Sequence, residues 1–176
     1  MTVRTLLTAS VAVMAAFVGW AVVGLPLFVF PQVDEPREAD VVFVLGPIRE
    51  SNLAKAVELM DEGFSGTLVL STPTNEVPEL CAGAHDFEVL CFGPDPSTTQ
   101  GEAQELARMA AARDWDSAMV VAMTPHISRA RLLIERCFTG EMTMVSHWQP
   151  TNFALWTQQY FYQTGAYIKA LATPGC

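Results

Sequence analysis

The chain has 176 residues and a formal net charge of −9, enough for one modest domain with an accessory segment but hardly for two domains. Nine of the ten basic residues and all nineteen acidic ones come after the apolar N-terminal stretch, which leaves the remainder at −10. That sign argues against nucleic-acid binding and against a domain lying flat on anionic lipid.

No charged residue occurs from Leu6 to Phe30, and an apolar run of that length can cross a bilayer as a helix. Trp20 and Phe28 to Phe30 stand toward its far end, where aromatic side chains favour the interface. A cleaved signal peptide is the competing reading, but no small-x-small cleavage site precedes Pro31, so 1–31 is expected to be a retained transmembrane anchor. Arg4 flanks the run on one side and the net acidic Asp34-Glu35-Pro36-Arg37-Glu38 on the other. The positive-inside rule then places the C-terminal part of the chain outside the cytoplasm: a linker over 32–39 and a domain over 40–176 on a single-pass cell-membrane protein.

Val41 to Leu45 is an uninterrupted apolar run ending at Gly46-Pro47 and reads as the first core strand. A helix over Ser51 to Glu62 comes next, with Leu53, Ala56, Val57 and Met60 at helical spacing and Gly63 as its stop. Thr67 to Ser71 is a second strand, broken by Thr72-Pro73-Thr74-Asn75, and Phe87 to Phe92 a third. A long helix starts at Ser97 to Glu102, with Ala103, Leu106, Ala107, Ala110 and Ala111 as its apolar stripe. Ala118 to Ala122 is the fourth strand. Thr124 then suits an N-cap and Pro125 the first helical position, opening a helix to about Phe138 with Ile127, Ala130, Ile134 and Cys137 facing the core. Met142 to Ser146 is a last strand. Asn152 to Leu171 is a final helix whose Phe153, Trp156, Tyr160, Tyr167 and Leu171 are candidates to pack on the sheet, or in part to touch the membrane surface.

Strands alternating with helices imply right-handed crossovers and an α/β fold: a Rossmann-like, doubly wound, mostly parallel sheet of about five strands with helices on both faces. The four cysteines all lie beyond the anchor, and Cys81 with Cys91 is the preferred disulfide, leaving Cys137 with Cys176. Cys137 as a small buried core residue is the alternative. Neither a CxxC spacing nor a His/Cys cluster occurs, so no zinc site is expected.

In doubly wound sheets ligands bind beyond the carboxyl ends of the strands. Polar residues gather there in this chain: Arg49, Ser71 and Thr72, Asp95 to Glu102, then Thr124, His126, Ser128 and Arg129. No Gly-x-Gly-x-x-Gly or Walker loop supports a dinucleotide or nucleoside triphosphate site, and no cofactor is specified. His126 is a candidate general acid or base, and Arg129 offers a planar fork to phosphate or carboxylate. Glu102 is either a second catalytic group or half of a Thr99-x-x-Glu102 capping box. Arg49 either reaches the same pocket or balances Glu50. Ser71 and Thr98 are candidate ligand hydroxyls, though loop hydroxyls often only cap and turn the backbone. No Gly-x-Ser-x-Gly or assignable triad provides a nucleophile.

Leu45-Gly46, Arg49, Thr99-Gln100-Gly101-Glu102-Ala103 and His126-Ile127-Ser128-Arg129-Ala130, in that order and between those elements, resemble the motifs of the SanA/ElyC/YdcF-like family. These are bacterial α/β domains often tethered by one N-terminal membrane helix and linked to envelope biogenesis. The resemblance covers about Asp40 to Val145. It implies an envelope role and a pocket for an anionic or phosphorylated small molecule or envelope precursor, with His126 and Glu102 in the chemistry and Gly46, Arg49, Ser71, Thr98, Thr99 and Arg129 holding the ligand. The chain departs from the pattern at Pro47, where a second glycine is usual, at Ser71-Thr72 in place of Ser-Gly, and at Ala122-Met123 in place of Thr-Ser. Two functions are therefore expected to compete: an envelope enzyme, and a tethered binding or regulatory module without turnover.

Overall fold

A computed structural model describes residues 3–73, 78–147 and 152–176. Five parallel strands form one sheet: β1 (Val41–Val44), β2 (Thr67–Ser71), β3 (Glu88–Phe92), β4 (Ser117–Met123) and β5 (Glu141–His147), in the order β3-β2-β1-β4-β5. The continuous apolar sequences of β1, β2 and β4 have their physical reason here, since both faces of these central strands are covered. Alternate residues enter two cores. Val41, Phe43, Val69, Val120 and Met144 face α3 (Thr99–Arg113) and α4 (Ile127–Ile134), and Val42, Val44, Leu68, Leu70 and Val121 face α2 (Glu50–Asp61). Each such fully buried aliphatic side chain stabilises the fold by roughly 1.5–3 kcal/mol.

The expected helices form with shifted details. Leu59 is buried in α2 and Val57 only half-buried, while Gly63 ends the helix with φ +81° as its stop role requires. In α3, Ala103, Leu106 and Ala110 are buried, but Ala111 is exposed because the stripe drifts off the sheet by the last turn. Thr124 does not cap a helix. Thr124–His126 forms a 3₁₀ turn, α4 begins at Ile127, and it ends at Ile134 rather than near Phe138. Thr74 and Asn75 lie outside the described residues.

Both expected disulfides form: Cys81–Cys91 ties the segment after β2 to β3, and Cys137–Cys176 ties the chain after α4 to the C-terminal end. The segment over 32–39 lies along β5, where the Asp34 amide donates to the Met144 carbonyl and the Asp34 carboxylate accepts from the Met144 amide and Arg131. Burial raises the Asp34 pKa, but these donors outweigh it and hold the carboxyl below its usual value.

The N-terminal helix α1 (Val3–Gly24) continues as a π-helical turn over Leu25–Val29, and the 23 residues Leu7–Val29 are long and apolar enough to cross a membrane. An apolar N-terminal helix together with two disulfides points to a domain outside the cytoplasm, secreted or anchored. The last helix, α5 (Phe153–Ala172), departs from expectation. It packs on α4 and on the end of α1 rather than on the sheet, and Phe153 and Leu171 are exposed.

Candidate functional site

The reversal of strand order between β1 and β4 opens a crevice at their carboxyl ends, where a doubly wound sheet accepts ligands. After β1 the chain turns at Gly46, where a Cβ would overlap the Pro73 ring, so only glycine fits. Asn52, buried in the first turn of α2, holds this turn: its amide donates to the Leu45 and Pro47 carbonyls and its Oδ1 accepts from the Arg49 amide at 2.7 Å. The clamp sets Arg49 at the mouth of the crevice, exposed and without an ion-pair partner among the described residues; Glu50 does not pair with it.

Thr98, one residue earlier than the capping-box reading requires, caps α3 by accepting from the Gly101 amide at 3.2 Å. That register frees Thr99 and Glu102 to point at the crevice. Glu102 Oε1 accepts from the Gly46 amide at 2.7 Å, a bond across to the β1 turn rather than back to its own helix. Burial raises the Glu102 pKa, opposed by Ser71, the Gly46 amide, Arg129 and Thr99. Ser71 is fully buried beside this carboxylate but forms no hydrogen bond of good geometry. It lies beneath the crevice wall rather than in it.

From the end of β4, the 3₁₀ turn carries His126 inward and α4 presents Arg129 one turn later. His126 Nε2 lies 3.2 Å from Thr99 Oγ1, which accepts from Arg129 Nη1 at 3.1 Å. Arginine only donates, so the Thr99 proton is free to point at His126. Burial and the Arg129 charge hold the His126 pKa well below the usual histidine value, which keeps the ring neutral at physiological pH. Burial also lowers the Arg129 pKa, with Tyr162 and Glu102 opposing, and the guanidinium remains charged. Its Nε donates to Gln163 Oε1 at 3.0 Å. Thr124, whose side chain was expected at the helix start, pairs instead with Ser146 at 2.7 Å across the β4–β5 ends.

Together these side chains line a cleft of about 770 Å³, with Gly46, Arg49, Thr98, Thr99, Glu102, His126 and Arg129 on the sheet side and Gln159, Tyr162, Gln163 and Lys169 of α5 on the other. Of the sequence-derived candidates only Ser71 is outside the lining. The cleft carries three cations, Arg49, Arg129 and Lys169, against one carboxylate, Glu102, in a domain that is otherwise strongly acidic. It is therefore suited to an anion, which Arg129 can fork while the Thr98 hydroxyl donates.

Several residues of the site carry no recognisable motif. Gln163 is 1% exposed in a helix otherwise rich in exposed side chains, and Asn52 is 2% exposed; each was signalled only by being a polar residue that would fall on a packed helix face. His147, at the end of β5, is buried, and its ring nitrogens have no hydrogen-bond partner among the described residues. Burial lowers its pKa, and the Arg49 charge adds to the shift. No group of three or more His, Cys, Asp or Glu able to hold a metal forms among the described residues. No family model, curated protein or solved structure matches the chain.

Proposed function

We propose that the protein is a membrane-anchored, extracytoplasmic α/β domain that binds a phosphorylated or otherwise anionic small molecule or envelope precursor in the cleft beyond β1 and β4, in the manner of the SanA/ElyC/YdcF-like domains whose motifs it resembles. The observation that carries the reading is the reversed sign of the cleft: three cations converge there on a body of net charge −10. Arg129, braced by Gln163 and Thr99 and lacking an ion-pair partner among the described residues, is the central anion ligand. Arg49 and Lys169 guide the charge in. His126, kept neutral, and Glu102, with its proton affinity raised by burial, are the groups able to move a proton on a bound substrate.

Retention of the anchor is supported by the way its outer end is built into the domain. Phe28 is 3% exposed and meets the rings of Tyr160 and Tyr167, and Ser128 donates to the Leu27 carbonyl. A cleavage before Pro31 would remove these contacts. A second reading, a tethered module without turnover, is favoured by Met123, which lines the cleft where the resemblance leads to a hydroxyl.

The test is thermal unfolding of the full chain in lipid nanodiscs, wild type against Arg129→Ala, with inorganic phosphate, sugar phosphates, nucleotides and a polyprenyl phosphate. At least one phosphate compound is expected to raise the wild-type midpoint and leave the variant unmoved, since a ligand stabilises only a state that binds it. Equal responses of the two proteins to every compound would refute the anion site. Consumption of the stabilising compound, lost in His126→Ala, separates the enzyme from the binding module.

A further inference from the structure

The last helix is unlike any other surface element of the chain. From Phe153 to Ala172 it contains one charged residue, Lys169, and no acid. Its exposed side is an apolar stripe at helical spacing: Phe153, Phe161, Ile168 and Leu171 are 87%, 57%, 61% and 54% exposed. Thr157 and Thr164 interrupt that stripe, and both turn their hydroxyls back onto the helix, donating to the Phe153 and Tyr160 carbonyls. A hydroxyl satisfied within its own helix needs no water. In an acidic protein whose helices α2 and α3 carry charge on their outer faces, a solvent-facing helix of this composition has no aqueous explanation.

Position supplies the rest. Twenty residues separate Arg4 from Gly24, about 30 Å of helix at 1.5 Å per residue, which is the thickness of a bilayer's hydrocarbon core. With Arg4 at the inner boundary, Trp20 to Gly24 lie at the outer one. Those are the residues that α5 grips. Tyr160 donates to the Ala21 carbonyl, Trp20 Nε1 donates to Thr164 at 3.3 Å, and the Trp20 ring lies 4.9 Å from both Tyr160 and Phe161. A Cβ on Gly24 would overlap the Tyr160 hydroxyl, so glycine there lets the Tyr160 side chain reach the backbone of α1. The exposed apolar surface of α1, including Phe17 and Val23, therefore continues onto the stripe of α5.

We propose that α5 is an interfacial membrane helix, bedded by its Phe153–Phe161–Ile168–Leu171 stripe in the outer surface of the same bilayer that α1 spans. The inference rests on the reading of α1 as a retained anchor. Insertion is apolar and needs no lipid charge, which suits a domain whose net charge would be repelled by anionic headgroups. Gln159, Gln163 and Lys169 of α5 form the cleft wall and Phe161 of the stripe reaches its edge, so the same helix fixes the cleft at headgroup height.

The test uses the full chain in phosphatidylcholine bilayers, with a nitroxide on Phe153→Cys, Phe161→Cys or Ile168→Cys, each the only free thiol because all four native cysteines are paired. Val13→Cys in α1 and Glu62→Cys after α2, both exposed, are the lipid and water references. Collisions with dissolved oxygen are expected to dominate over those with a water-soluble nickel chelate at 153, 161 and 168, a ratio several-fold above that at 62. Nickel collisions at those three sites equal to those at 62, with 13 still lipid-exposed, would overturn the docking of α5 and leave the anchor standing. Shielding of the three sites from both oxygen and nickel would also overturn it, in favour of a second copy of the chain. Loss of the lipid signal at 13, or an N-terminus missing by mass spectrometry, would instead overturn the anchor itself and the docking with it.

Discussion

At the scale of single residues, the site depends on neutral and cationic groups held close together away from water, and its pH response is set by their signs. His126 binds a proton in the unfolded chain below about pH 6.5 but not in the fold, where its pKa is well depressed. The unfolded state therefore gains protons as pH falls, and stability should drop as pH falls through 6.5, with a slope approaching a limit of about 1.4 kcal/mol per pH unit until the folded ring itself is protonated. His147, also depressed, adds to the same slope. Glu102 acts in the opposite sense: its raised pKa gives the folded state the extra proton above the usual carboxyl value of 4.5, so its contribution shrinks as pH rises through that window. Denaturant unfolding of the full chain in detergent between about pH 7.5 and 5.5 should show a slope that flattens in His126→Gln. An unchanged slope in His126→Gln would mean that the ring titrates in the fold. Gln163 allows a sharper test. Gln163→Leu removes the acceptor of Arg129 Nε and should weaken anion binding about tenfold, the cost of one charge-assisted hydrogen bond; phosphate binding measured calorimetrically checks it.

At the scale of elements, α3 and α5 show how far sequence pattern reaches. Moving the N-cap of α3 from Thr99 to Thr98 decides whether Glu102 bonds its own helix or the Gly46 turn, and both residues are threonines with equal claim to the cap. The capping-box and catalytic readings could not be separated by spacing because they differ by one residue of register. The strands and their crossovers were legible because burial on both faces of a parallel sheet demands continuous apolar runs, and Val41 to Val44 and Ala118 to Ala122 permit no other role. The polar residues at the strand ends were legible for the same topological reason. Gln163 was not, since it acquires its role only from Arg129, 34 residues away, and neither were Asn52 and His147, since no motif or spacing marks either as a site residue. The aromatic residues of α5 were ambiguous because a helix apolar on two sides gives no contrast to tell sheet, anchor and membrane apart. Its joint with α1 is the part most sensitive to substitution. Gly24→Leu must displace Tyr160 and should lower stability by about 1–3 kcal/mol as an overpacked contact, whereas Gly19→Leu, with no atom within 4 Å of the added Cβ, should be neutral by thermal unfolding in nanodiscs. Equal loss in the two variants would deny the close approach.

At the scale of the whole molecule, the N-terminal apolar helix is joined to the fold, because its C-terminal end packs into the domain. The contacts of Phe28 with Tyr160 and Tyr167, the Ser128 bond to the Leu27 carbonyl and the Asp34 bonds to Met144 form one continuous seam from the end of α1 to β5. Severing that seam has a calculable effect. Removing a buried phenylalanine typically costs about 3–5 kcal/mol, and in a domain of this size each kcal/mol lowers the midpoint by about 2–4 °C. A soluble version beginning at Gln32 loses Phe28 and leaves the Ser128 hydroxyl without its acceptor; one beginning at Leu25 keeps both. The version from Leu25 should therefore melt about 10 °C higher than the version from Gln32 when both are compared in the same mild detergent. Phe28→Ala in the longer version should reproduce most of the difference. If the two truncations melt together, the seam contributes nothing to folding and the domain would be indifferent to whether its N-terminal helix stays attached. If they separate as expected, the end of the N-terminal apolar helix and the helix that walls the cleft are parts of one cooperative unit. A ligand that orders the cleft would then be coupled, through α5, to the position of the domain on the membrane.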